Sequence, residues 1–216
     1  MNDTSRMTQL LGAFRRERNG LVADTMHYEG ARYGLNYGVS LPTVRSTVRP
    51  LERDHAFARY LYGQDVRCLK LAAIHLADPD ALSDEAERAF WWRGIINSEL
   101  AEEAAFAFVS RSSVLPHLIE VCAEERNPLC LYMLLMAAAR CSQPKIEWLA
   151  PTLSAVQKCE EPPMINLLSR GLVALWAHLA ETSDEARTKT AETLSTLGHS
   201  AWEEYLREEL SWRLAY

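Results

Sequence analysis

Residues 72–77 read AAIHLA, and the same alanine-rich character returns at regular distances along the chain. The later copies are AAFAFV at 104–109, MAAARC at 136–141 and VALWAH at 173–178, so successive copies lie 32, 32 and 37 residues apart. Small residues at the centre of a helix let a neighbouring helix approach closely, and each alanine-rich segment alternates with a more amphipathic one. The period therefore predicts helix pairs stacked into an α-solenoid, in which each pair buries its apolar face only against its neighbours.

The rest of the chain shows the same preference for helix. Apolar residues recur at helical spacing in almost every segment, and strand-like alternation is almost absent. We predict an all-α fold of about twelve helices, arranged as an α-α superhelix of HEAT-like pairs in a single domain over residues 1–216. A plain helical bundle is the alternative, although a bundle does not require a repeat. Asp54, Asp65 and Ser83 are predicted to cap the helices that follow them. Pro42 is predicted to lie in a first turn, after a loop marked by two glycines.

Composition excludes several classes of protein. The 216 residues are 48% hydrophobic and 24% charged, which is typical of a globular protein with a core. The apolar run Leu129–Ala139 is shorter than the roughly 20 residues that a membrane-spanning helix needs, and residues 1–6 lack the apolar stretch of a signal peptide. The five cysteines form no CxxC pair, and the six histidines show no metal-ligand spacing. We therefore expect a cytoplasmic protein with no membrane partner, no cofactor and no metal.

Charge is distributed unevenly along the chain. Residues 1–75 carry 11 Lys and Arg against 7 Asp and Glu, a balance of +4, whereas residues 76–216 carry 12 against 22, a balance of −10. An acidic protein repels nucleic acid unless a local basic face overcomes the overall field. Any contact with DNA is therefore expected in the first third of the chain, although charge also fluctuates along chains that bind no nucleic acid.

A family resemblance is carried by YGVSLPTVR at residues 37–45. This string resembles the aromatic-Gly-Val-x-x-Pro-x-x-Arg signature of the DNA alkylation repair family, the AlkD-like alkylpurine DNA glycosylases. HAFARYLY at 55–62 and DVRCLKLAA at 65–73 are similar to the family's next two helices in the same order. The resemblance covers about residues 20–180, and it leaves residues 181–216 as C-terminal capping helices. It implies a HEAT-like solenoid, in agreement with the repeat.

The resemblance also implies a function. Members of the family hold duplex DNA in the concave face and remove a cationic alkylated purine, with a carboxylate stabilising the positive charge that develops on the sugar. Tryptophans line the deoxyribose, and an arginine contacts the DNA backbone. Transferred to this chain, the resemblance makes Glu103 the candidate catalytic residue. The candidate DNA-binding residues are Arg45, Arg49, Arg67, Lys70, Trp92 and Tyr132.

The chain departs from the family pattern at the active-site positions. Where the family has Ser-Trp-x-x-x-Asp, this sequence has Ser98 and Glu99, with Glu103 at the aspartate position. Tyr132 or Met133 stands where the family has its arginine, and neither can pair with phosphate as a guanidinium does. We therefore expect a divergent DNA-binding relative whose alkylpurine glycosylase activity is weak or absent. The alternative is a scaffold that binds a protein or peptide and has kept the solenoid but lost the chemistry.

Overall fold

The computed structural model describes residues 2–214, and these residues form helices joined by short connections. Within them there are thirteen α-helices, no β-strand, and one isolated parallel bridge between Leu35 and Val66. The α-helices are α1 (Asp3–Arg16), α2 (Gly20–Tyr28), α3 (Leu41–Val48), α4 (His55–Tyr62), α5 (Arg67–Leu76), α6 (Glu85–Arg93), α7 (Ser98–Ala107), α8 (Leu115–Glu120), α9 (Pro128–Ala138), α10 (Leu149–Gln157), α11 (Pro162–Ala180), α12 (Asp184–Ser195) and α13 (Ala201–Leu214). Short 3₁₀ helices cover Pro79–Ser83, Val109–Arg111, Cys122–Glu124 and Ile146–Trp148. The predicted all-α fold class is confirmed, and the superhelical arrangement of the pairs stays a prediction.

Helix starts follow the capping residues, with two corrections to the sequence-based assignment. The side chain of Asp54 accepts from the Phe57 amide and caps α4, as predicted. The prediction for Asp65 is wrong, because Val66 occupies the N-cap position of α5 without a side-chain cap. Asp65 instead uses its backbone carbonyl to accept from the Leu35 amide in the β-bridge. The prediction for Ser83 is also wrong, since the carboxylate of Asp84 caps α6.

The chain divides into two compact units, Met1–Glu103 and Ala104–Tyr216. The first unit holds α1 to α6 and the beginning of α7. The second holds the end of α7 and all later helices.

In the first unit, the loop before α3 is fixed by a close approach of two backbone segments. Gly38 has a φ of 65°, in the left-handed region that glycine tolerates best, and a Cβ at this position would lie 1.9 Å from the carbonyl oxygen of Asn19. The Asn19 amide donates to the Tyr37 carbonyl oxygen at 2.8 Å, and the Ser40 hydroxyl caps α3. The glycine of the YGVSLPTVR string is therefore required by the backbone, and the loop sets the position of α3.

In the second unit, the long helix α11 packs against α9, α10, α12 and α13. The alanines predicted to be buried in the first three repeated segments are fully buried: Ala73 on α5, Ala105 on α7 and Ala138 on α9. Among residues 2–214, no helix combines the length and the apolar character needed to cross a lipid bilayer.

Candidate functional site

Two glutamates on α7 lie at the centre of the candidate site. The side chain of Asn97 accepts from the Leu100 amide at 3.0 Å, so the helix begins at Ser98. Glu99 and Glu103 are four residues apart and therefore project from the same side of α7. Both belong to the first unit, where each meets an arginine.

Glu103, the candidate catalytic residue, is held by two side chains from other helices. Arg45 on α3 donates from Nε to Oε1 at 2.9 Å and from Nη2 to Oε2 at 2.6 Å. His75 on α5 places its Nε2 against the same Oε1. The Glu103 residue is 1% exposed, whereas the side chain of Arg45 is 41% exposed. Both carboxylate oxygens are therefore occupied by protein donors and closed to solvent.

The pKa of Glu103 reflects the competition between burial and these partners. Burial by itself would raise the pKa, because a charged group loses its hydration. The hydrogen bonds and charges of His75 and Arg45 outweigh that effect and lower the pKa to about 2. The pairing with Glu103 also raises the pKa of Arg45. Glu103 is thus ionised at neutral pH and has no proton to give as a general acid.

Glu99 is held by a second bidentate arginine, one turn earlier on α7. Arg67 on α5 donates from Nε to Oε2 at 2.8 Å and from Nη2 to Oε1, while its Nη1 donates to the Val39 carbonyl oxygen at 2.6 Å. The Tyr33 hydroxyl donates to Glu99 Oε2 at 2.7 Å. Arg67 is only 4% exposed. Burial lowers the pKa of Arg67, but pairing with Glu99 outweighs the burial and raises it. Burial and the charge of Glu99 also raise the pKa of Tyr33.

We call these residues the Arg–Glu cluster: Arg45, Arg67, His75, Glu99 and Glu103. Two carboxylates and two guanidinium groups compensate one another within it, and each arginine spans its glutamate in the two-point geometry that suits a carboxylate. Stabilising a cationic sugar would need an uncompensated carboxylate within reach of the substrate. Neither carboxylate of the cluster is uncompensated, and the two ion pairs instead link α3 and α5 to α7.

The remaining sequence-predicted residues are scattered. Arg49, one turn after Arg45, is exposed, and Trp92 is half-buried on α6. Lys70 donates to the Tyr62 carbonyl oxygen at 2.9 Å, and burial lowers its pKa. In the second unit, Tyr132 is buried on α9, where its Cδ2 would lie 3.3 Å from a Cβ placed on Gly171. The fold therefore brings together Arg45 and Glu103 from the predicted set and leaves Arg67 with a different glutamate.

Sequence reasoning missed His75 and Tyr33 as partners of the two glutamates. The four-residue spacing of Glu99 and Glu103 was a signal that both share a helix face. Nothing in the sequence indicated that the partners would come from α3, α5 and the loop after α2, which lie between 28 and 66 residues earlier in the chain.

Within residues 2–214, no group of three or more His, Cys, Asp or Glu side chains is arranged to hold a metal ion. A comparison of the chain with protein-family models finds no match, and comparisons with curated proteins and solved structures find no significant match.

Proposed function

We propose that this chain is a non-catalytic binding protein, built from HEAT-like helical repeats and divergent from the DNA alkylation repair family it resembles, and that its partner is a protein. One observation carries the proposal: the carboxylate at the family's catalytic position, Glu103, is 1% exposed and bound through both oxygens by Arg45 and His75. A carboxylate in this state cannot lie beside a deoxyribose or position a water molecule for attack on the sugar.

The contacts that the basic residues already make within the protein favour a protein partner over DNA. Three of the predicted DNA-binding side chains are engaged inside the first unit, since Arg67 is buried against Glu99, Arg45 binds Glu103, and Lys70 donates to a backbone carbonyl. A guanidinium held by a carboxylate must break that pair before it can bind a phosphate. The net charge of −6 further disfavours a long polyanion such as duplex DNA.

DNA binding without excision is the second candidate, and one observation favours it. Arg49 is exposed one turn after Arg45, whose side chain is 41% exposed, so α3 presents positive charge at its C-terminal end. Each phosphate contact would contribute about −0.9 to the slope of log K against log salt concentration. If Arg49 makes one such contact, Arg49→Gln would make the slope less negative by about 0.9.

The test of the proposed function is an excision assay. Purified protein is incubated with methylated duplex DNA, and release of 7-methylguanine and 3-methyladenine is measured beside Glu103→Gln. We expect no release above the spontaneous rate from either protein. Release by the wild type that disappears in Glu103→Gln would overturn the proposal, because it would make Glu103 the working carboxylate. Salt-dependent binding to duplex DNA, weakened by Arg49→Gln, would favour the second candidate.

A further inference from the structure

The second unit contains a cleft whose charge is opposite to that of the unit around it. The cleft has a volume of about 710 Å³ and lies where the end of α7 and the following 3₁₀ helix face the end of α9. Its described lining includes three cations, Arg111, Arg140 and Lys145, and no carboxylate. Residues 104–216 as a whole carry 10 Lys and Arg against 14 Asp and Glu, so the absence of acidic residues from this cleft is a local feature.

The cations of the cleft are accessible to a ligand. Arg111 and Arg140 are both exposed, and the Arg140 guanidinium donates to the Met136 carbonyl oxygen of its own helix at 2.7 Å. Lys145 Nζ lies 3.4 Å from Glu120 Oε1, an ion pair in which both side chains are about half exposed. Exposed pairs of this kind contribute little free energy, so Glu120 does not prevent Lys145 from meeting another anion.

The other lining residues complete a site with mixed chemistry. Hydroxyl and amide groups come from Ser110, Ser112, Ser113, Ser142 and Gln143. Phe106, which is 41% exposed, contributes an aromatic face at the same place, and Leu115 and Pro116 add apolar surface. A concave surface with a few converging charges and apolar walls is typical of a ligand site.

We infer that this cleft binds a short acidic peptide segment of a partner protein, with carboxylates on the three cations and an apolar side chain against Phe106. The inference rests on the proposed function and names the chemistry of its partner. The three cations all line one cleft, and a short peptide fits such a confined positive surface better than a nucleic acid does. A second cleft in the same unit, of about 810 Å³, is lined by four glutamates (Glu124, Glu125, Glu160 and Glu161) and two cations (Arg126 and Lys158). Its net negative charge would disfavour a long polyanion that reached beyond the basic cleft.

The experiment measures binding of a fluorescein-labelled peptide of ten glutamates by fluorescence anisotropy in 25 mM NaCl. The same label on a twelve-residue oligothymidylate provides the nucleic-acid arm. We expect the peptide to bind and the double variant Arg111→Gln/Arg140→Gln to lose on the order of tenfold in affinity. Raising the salt to 300 mM should weaken binding strongly, because these charges are solvent-exposed. Arg170→Gln removes an exposed arginine of the same unit outside the cleft and should leave affinity unchanged.

Three results of the binding titration would overturn the inference. These are no peptide binding at low salt, equal losses from the cleft variant and from Arg170→Gln, or tighter binding of the oligothymidylate than of the peptide. Concentration-dependent self-association that the cleft variant abolishes would assign the cleft to a second copy of the chain and also overturn it. Circular dichroism of both variants shows whether the fold is intact. The excision assay is independent of this titration, so failure of the proposed function and failure of the cleft can be told apart.

Discussion

Arg45 and Glu103 form a two-point ion pair, with Nε to Oε1 at 2.9 Å and Nη2 to Oε2 at 2.6 Å, across 58 residues of sequence. The two ends of the pair lie in different environments, because the glutamate is buried and the arginine is partly hydrated. A buried carboxylate that loses its cation keeps its desolvation cost, whereas a half-exposed arginine that loses its carboxylate can recover water. Removing the arginine is therefore expected to cost more stability than removing the glutamate, and mutation can measure the difference.

We predict that Glu103→Gln lowers the free energy of unfolding by about 2–3 kcal/mol, because a neutral amide loses the charge-assisted hydrogen bonds that the carboxylate receives from Arg45 and His75. Urea denaturation followed by circular dichroism at 222 nm measures the change. Glu208→Gln is the control, since Glu208 is an exposed glutamate on α13, and it should change stability by less than about 0.5 kcal/mol. Equal effects of the two substitutions would show that burial and pairing of Glu103 do not determine its contribution.

Replacing both partners should cost less than replacing one. Arg45→Met alone leaves the buried Glu103 carboxylate with His75 as its remaining described partner, and Arg45→Met combined with Glu103→Leu removes that charge as well. We expect the double variant to be more stable than Arg45→Met, with a coupling energy on the order of 1–3 kcal/mol in a double-mutant cycle. Additive effects would mean that the two side chains do not interact energetically.

Stability should fall in acid, and Glu103 should account for much of the loss. Its pKa is lowered from 4.5 to about 2 in the folded protein, so its stabilising contribution is fully present above about pH 5 and disappears as the pH falls toward 2. A shift of this size corresponds to about 3 kcal/mol. Urea midpoints measured from pH 7 to pH 2 should fall more steeply for the wild type than for Glu103→Gln. Parallel curves for the two proteins would contradict the prediction.

Arg67→Lys should destabilise the first unit although it keeps the charge. A lysine cannot span both oxygens of Glu99 and also donate to the Val39 carbonyl, so a buried acceptor loses its partner. We expect a loss of about 1–3 kcal/mol by urea denaturation. Arg49→Lys, at an exposed arginine, is the control and should be within about 0.5 kcal/mol of wild type. Tolerance of Arg67→Lys would show that charge alone suffices at this position.

Gly38→Ala should be strongly destabilising. The added Cβ would lie 1.9 Å from the Asn19 carbonyl oxygen, and the φ of 65° is unfavourable for any residue with a side chain. We expect a loss of at least about 2 kcal/mol. Gly12→Ala provides the opposite control, because Gly12 lies inside α1 and a Cβ added there would meet no atom within 4 Å, so the variant should gain about 0.5–1 kcal/mol. Thermal melts of the two variants should therefore shift in opposite directions.

The sequence supported the fold class because helices are specified locally. The apolar spacing, the cap at Asp54 and the alanines at a period near 32 residues all act within or between neighbouring helices, and the structure has the expected helices and buried alanines. Local signals failed where a longer-range contact competed with them. Asp65 has the right side chain for a cap, but the bridge between Leu35 and Val66 fixes its backbone before α5 begins.

The sequence by itself determined an all-α chain, the shared face of Glu99 and Glu103, and a glycine-marked loop before Pro42. Each of these follows from backbone geometry over a few residues or from a short repeat. Only the tertiary structure decided that Glu103 would be closed off by Arg45 and His75, and that Arg111 and Arg140 would meet in one cleft. Those outcomes depend on which helices pack side by side. The sequence shows that a glutamate is present, but it does not show whether the neighbours of that glutamate in the fold neutralise its charge or leave it open to solvent.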